Sequence, residues 1–205
     1  MTAQPAPEFN EKAQEILEAA SSVFMAQGFG AASMDAIAKA AGASKATLYA
    51  YFPTKERLFA AVVQAECRRF GALIGEAFEE ADLRTALIEV AAQHIRLVLS
   101  PKGMAAFRIV VAEAPRLPEL GRAFWEAGPK TIHRRLAERL ERASELGEIA
   151  APDPFRAAAD LLALARAERH IGCALLAEPT PDEDEVGRMA EHAVDAFLRA
   201  YAPAR

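Results

Sequence analysis

Cysteine is scarce in this chain of 205 residues. Cys67 and Cys173 stand far apart in sequence and form neither a CxxC pair nor a zinc-like spacing, which excludes a disulfide framework and leaves buried thiols as the expectation. No stretch approaches the uncharged apolar length of a membrane span, and Met1–Asn10 is polar and proline-containing, without the apolar core of a secretory signal. A soluble, cytoplasmic protein with no membrane partner is expected. Glycine (11) and proline (12) are too few for a low-complexity or fibrous chain. No nucleophile motif, phosphate-cradling glycine loop or HExxH element occurs, so neither a cofactor nor a metal is expected and the chain does not read as an enzyme. The rival enzymatic reading rests on His170 and Cys173, which share a helix face at i, i+3, with His94 and His133 elsewhere. A second rival is oxidation sensing through Cys67 or Cys173, which depends on thiolate stabilisation that spacing does not reveal.

What the chain does hold is 52% apolar residues, with Ala, Leu, Glu and Arg recurring throughout, the composition of helices joined by short connections. The pattern predicts an all-α fold: three N-terminal helices over 9–55 containing a helix-turn-helix, then a long helix leading into a larger helical domain over 56–203. The first helix runs from about Phe9 to Gln27, with Ile16, Leu17, Ala20, Val23 and Phe24 on one face, and Gly28 ends it. Ser33 caps a short helix through Ala40, and a third spans about Ser44–Phe52 before Pro53. Thr54 caps the long fourth helix. Further helices are expected at about 83–99, 102–114, 118–146, 154–177 and 182–201, with Gly128 and Pro129 as a break point within the third of these.

The net charge of −5 argues at first against a nucleic-acid partner, but the charge is segregated. From Lys39 to Arg69 six basic residues face two acidic ones, whereas Glu178 to Glu191 holds six acidic residues and Arg188 alone. The basic excess surrounds the three short helices. In a helix-turn-helix the helices must approach closely, the turn needs a residue tolerant of left-handed geometry, and the second helix needs an apolar anchor. Ala38, Gly42 and Leu48 meet these demands. Lys45, Ala46, Thr47, Tyr49, Ala50 and Tyr51 are then left free for a partner.

The string from Ser33 through Met34, Asp35, Ala36, Ile37, Ala38, Gly42, Ser44, Lys45, Thr47, Leu48, Tyr49, Tyr51 and Phe52 to Glu56 resembles the DNA-binding segment of the TetR family, and the stretch Phe107–Ala114 with Phe124 resembles the ligand domain of AefR-like members. The resemblance implies a homodimeric regulator, usually a repressor released from a palindromic double-stranded operator by a small-molecule effector. It also implies that Ser33 and Tyr49 bind phosphate, that Lys55 pairs with a phosphate at the start of the fourth helix, that Lys45, Ala46 and Thr47 face the major groove, and that Ser44 belongs to the DNA-binding set. Lys45 suits guanine O6 or N7 and Ala46 a thymine methyl. Tyr51 stands where the family often has histidine, so a backbone contact is expected of it, and Ala46 stands where glycine is common.

Two recognition helices one DNA turn apart require a two-fold dimer. Its interface is expected on the last two long helices, through Leu161, Leu162, Ala165 and Arg169 on one and Met189, Ala193 and Phe197 on the other, an intrachain core being the alternative. The effector pocket is expected among Phe70, His94, Phe107, Val111, Phe124, Trp125 and His170, with His133 on its edge or in solvent. These aromatics favour a hydrophobic or amphipathic ligand.

Overall fold

Serine and aspartate caps, and prolines at first helical turns, set where most of the described helices begin. The computed structural model describes residues 11–80 and 82–203, with side chains described at all of these except 69–76, 79 and 80. The described residues form eleven helices and no strand: α1 (Glu11–Ala31), α2 (Met34–Ala40), α3 (Lys45–Tyr51), α4 (Lys55–Glu80), α5 (Leu83–Leu99), α6 (Pro101–Glu113), α7 (Pro118–Ala127), α8 (Pro129–Glu145), α9 (Pro154–Arg166), α10 (Arg169–Ala174) and α11 (Glu183–Ala200). Ser33, Ser44, Asp82, Ser100, Asp153 and Asp182 each accept a backbone N–H in the first turn of the helix that follows. Proline opens α6, α7, α8 and α9, where its missing N–H costs nothing.

The N-terminal unit closes around a triad of rings. Phe24 and Phe29 on α1 and Phe59 on α4 lie with centroids 5.3 to 5.7 Å apart, all buried. Ile37, Ala38 and Leu48 complete this core, each ring or branched side chain contributing about 1.5–3 kcal/mol by leaving water. Gly28 (φ 74°) bends the end of α1, and Gly42 (φ 56°) makes the turn between α2 and α3. At that turn the Ala43 N–H donates to the Ala38 carbonyl at 2.9 Å and the Lys12 ammonium donates to the Ala41 carbonyl at 3.2 Å.

Helix α4 leaves this unit and packs on α5, α7 and α8. The larger core lies where α5, α8, α9 and α11 meet, filled by Leu87, Val90, Ile95, Leu136, Leu161, Val194 and Phe197. Ion pairs Arg84–Asp195 (2.9 Å) and Arg96–Glu183 (2.7 Å) fasten α5 to α11. The break expected at Gly128 separates α7 from α8. The single helix expected over 154–177 is interrupted instead: Ala167 adopts φ 38°, ψ −142°, and α10 sets off in a new direction.

Candidate nucleic-acid interface and effector region

Helix α3 buries Leu48 and leaves the opposite face to solvent, with Ser44, Lys45, Ala46 and Tyr49 exposed, Thr47 half-buried and Tyr51 38% exposed. The hydroxyl of Ser44 accepts from the Thr47 N–H (3.0 Å) and shares a hydrogen bond with its hydroxyl (2.8 Å), so the first turn is held rigid beneath Lys45. The Lys45 ammonium donates to the Asp35 carboxylate. Both partners are mainly exposed, so this pair is worth little and exchanges readily for a phosphate or a base edge. A groove of about 550 Å³ lies between the starts of α2 and α4, bordered by Ser33, Asp35, Tyr49, Thr54 and Lys55. Ser33 accepts from the Ala36 N–H (3.1 Å), which leaves its own hydroxyl proton for an acceptor in the groove.

Lys55 departs from the free phosphate-binding side chain expected of it. Its ammonium donates to the carbonyls of Phe29 (2.7 Å) and Ala32 (2.9 Å) and sits 4.4 Å from the Phe29 ring centroid. It neutralises the carbonyl end of α1 while still bordering the groove between the starts of α2 and α4.

The residues expected to line an effector pocket divide. Phe70 lies outside the described side chains. His94 is buried; Phe107, Phe124 and His170 are half-buried, and Phe107 meets the His170 ring edge-on at 4.6 Å. Val111 is 57% exposed on the outer side of α6 and does not line the interior. Trp125 is also largely exposed, yet its ring meets His133 at 5.9 Å, and His133 meets Phe155 at 5.6 Å. Burial, and then the positive charge of Arg166, lower the basicity of His94, His133 and His170, bringing His94 to about 3. Phe155 and Arg166 belong to this neighbourhood without having been singled out from the sequence, because each lies on the outward side of the α9 pattern.

Of the residues expected at the interface, Leu161, Leu162 and Ala193 are buried within their own chain at the seam between α9, α11 and α5, whereas Ala165, Arg169, Met189 and Phe197 border an outward groove. Arg169 is engaged with Glu178 and Glu185, and Met189 is half-buried. What faces outward is a groove of about 850 Å³ between α9 and α11, bordered by Ala163, Leu164, Ala167, Met189 and Ala200. Among the described residues no three His, Cys, Asp or Glu side chains gather as a metal site, and no helix is long and apolar enough to cross a membrane.

A capped recognition helix on a closed three-helix unit, joined through one long helix to a larger helical domain, defines a helix-turn-helix DNA-binding protein with a regulatory domain. Residues 16–62 match the family described as bacterial regulatory proteins, tetR family, and residues 85–203 match the C-terminal domain of the AefR-like transcriptional repressors. The HTH-type transcriptional regulator UidR of Escherichia coli K12 is 32% identical over 139 residues, 67% of this chain and 68% of that protein. A crystal structure of a TetR-family regulator from Mesorhizobium loti superposes with a TM-score of 0.82 at 29% identity, over 93% of this chain and 96% of the other. The structure of the flavonoid-responsive regulator FrrA superposes at 0.73 with 38% identity, over 95% and 98%. The chain belongs to the TetR family and is a DNA-binding transcriptional regulator.

Proposed function

We propose that this regulator is a cytoplasmic homodimeric repressor that leaves a palindromic operator when a small apolar or amphipathic molecule enters its C-terminal domain. The observation that carries the reading is the exposed face of α3, with Lys45, Ala46 and Tyr49 outward and Thr47 beside them on a capped first turn. The DNA-binding unit is residues 9–55 and the regulatory unit 56–203, residues 9 and 10 lying outside the described ones. Ser33, Tyr49 and Tyr51 address the phosphate backbone, and Lys45, Ala46 and Thr47 the base edges. The second copy seats on the α9–α11 groove. Helix α4 carries the response, because it packs both on α1 and on α5, α7 and α8. An effector acts only through unequal affinity for the two positions of α4. That a similar structure is of a flavonoid-responsive protein supports an aromatic effector.

The test is a salt titration of binding to the DNA upstream of the protein's own reading frame, with scrambled DNA as control. Specific, salt-sensitive binding that Lys45→Ala removes is the expected result. Equal weak binding to both DNAs counts against the reading.

A further inference from the structure

On the reading that a second copy seats on the α9–α11 groove, we propose that the chain selects its partner by charge, Glu168 of each copy pairing with Arg188 of the other. Two equal interchain ion pairs then admit a second copy and reject chains of the same fold that lack the pattern. The groove is apolar along its floor, through Leu164, Ala165 and Phe197, and its rims differ in charge. Asp160 and Glu168 stand on the α9 side, Arg188 and His192 on the α11 side. Asp160 is occupied within the chain, accepting from the Tyr201 hydroxyl (2.8 Å) and from Arg156 (2.9 Å), and Glu185 is held by Arg169 at 2.9 Å. Glu168 and Arg188 are exposed, and their side chains have no ion pair or hydrogen bond among the described residues. Glu168 stands at the start of α10 but makes no capping bond there, so its carboxylate is available to a partner.

The fold sets the two groups level with each other. Helices α9 and α11 run antiparallel: Tyr201, after the end of α11, bonds Asp160 in the middle of α9, while Arg169, after the end of α9, reaches Glu185 in the first turn of α11. Glu168 adjoins Arg169 in sequence and Arg188 follows Glu185 by one helical turn, so both lie at the same end of the groove. A two-fold contact can lay groove on groove in two ways. An axis along the groove sets the α9 rim of one copy on the α11 rim of the other at the same level, and Glu168 meets Arg188 twice. An axis across the groove sets α9 on α9 in the opposite sense, with Leu164 at the centre, and brings Glu168 towards Asp160 of the second copy. Like charges oppose that arrangement, so the rim charges choose the first.

Glu168→Arg, Arg188→Glu and the double exchange carrying both are made in the full chain and checked for retained helicity. Each single variant places like charges at both contacts. It is expected to raise the dimer dissociation constant by about ten-fold or more, read by light scattering over a micromolar dilution series. Mixing the two single variants rebuilds two opposite-charge contacts in the heterodimer, and the double exchange rebuilds them in its homodimer. Both are expected to dimerise about as tightly as the unaltered chain. The double exchange and the unaltered chain meet like charge with like, and when mixed are expected to stay separate homodimers by native mass spectrometry. Single variants that dimerise like the unaltered chain, a mixture of them no tighter than either alone, or free exchange between the double exchange and the unaltered chain overturns the proposal. Leu164→Asp, on the groove floor, separates the two failures. If it is monomeric while the charge variants change nothing, the ion pairs fall and the groove stands as the interface; if it stays dimeric, the groove falls and the ion pairs with it.

Discussion

The Lys55 ammonium at the start of α4 donates to the Phe29 carbonyl at the end of α1, 2.7 Å away, and covers the ring of the same residue. One side chain therefore joins α4, the helix proposed to carry the regulatory response, to α1, on which α2 packs. Replacing it with methionine keeps the stem but leaves the Phe29 and Ala32 carbonyls without their charged donor. Lys55→Met is expected to lower stability by about 1–3 kcal/mol, read from urea midpoints. It is also expected to weaken operator binding at every salt concentration, whereas loss of a simple phosphate contact lowers the salt slope by about one.

The thiol of Cys67 is held protonated, its pKa pushed up to about 12 by burial and by Glu66. Thiolate is the reactive form, so this residue has none to offer at neutral pH. Native protein treated with iodoacetamide at pH 8 is expected to show no carbamidomethyl group on Cys67 by peptide mass spectrometry, and full labelling once urea unfolds the chain. Fast labelling of the native protein would revive an oxidation-sensing role.

His94 gives stability a pH dependence whose sign follows from its burial. Unfolded, the imidazole takes a proton near 6.5; folded, it resists until about 3. Between those values the unfolded chain binds more protons, so the contribution is complete above pH 6.5 and is lost as pH falls. The slope is at most about 1.4 kcal/mol per pH unit. Urea midpoints at pH 7.5, 6.5 and 5.5 are expected to stay level over the first step and drop over the second. His94→Gln is expected to flatten the drop.

Where local chemistry decided the outcome, the amino-acid pattern was enough to find it. Ser33, Ser44 and Thr54 announced helix starts, Gly42 the turn and Pro53 the stop, because caps and positive φ depend on neighbours in sequence. A 3.6-residue stripe such as Leu161, Leu162 and Ala165 shows which face is buried but not whose atoms cover it, so an intrachain seam with α5 and α11 and a surface for a second copy look alike in sequence. The interruption at Ala167 has no glycine or proline to signal it. It accompanies the ties from Arg169 to Glu178 and Glu185, which lie beyond local range. Lys55 turned inward for a similar reason, since its acceptors lie more than twenty residues earlier.

Gly103 marks a contact that no motif foretold. A Cβ at this position would stand 2.3 Å from the Leu97 carbonyl oxygen and 2.9 Å from that of Val98, both fixed backbone at the end of α5. Gly103→Ala therefore forces α5 and α6 apart, against the usual gain in helix propensity. A loss of about 2 kcal/mol or more is expected in a denaturant melt, since overlap with backbone is not relieved by a rotamer change. Gly147→Ala is strained by φ 74° but meets nothing within 4 Å, and is expected to cost about 1 kcal/mol.

Leu164 is 42% exposed on the groove between α9 and α11, one turn from the fully buried Leu161. An isolated chain gains nothing from an apolar side chain there, and a charge at this position leaves the intrachain seam intact. Leu164→Asp is therefore expected to keep the helical content and melting behaviour of each chain while reducing the mass in solution from a dimer to the 22.1 kDa of one copy, measured by light scattering at micromolar concentration. Operator affinity should fall with it, because a single recognition helix reads only one half-site. A Leu164→Asp protein that stays dimeric would move the interface away from this groove, whereas Phe197→Asp, buried in the seam itself, is expected to unfold the domain whatever the oligomeric state.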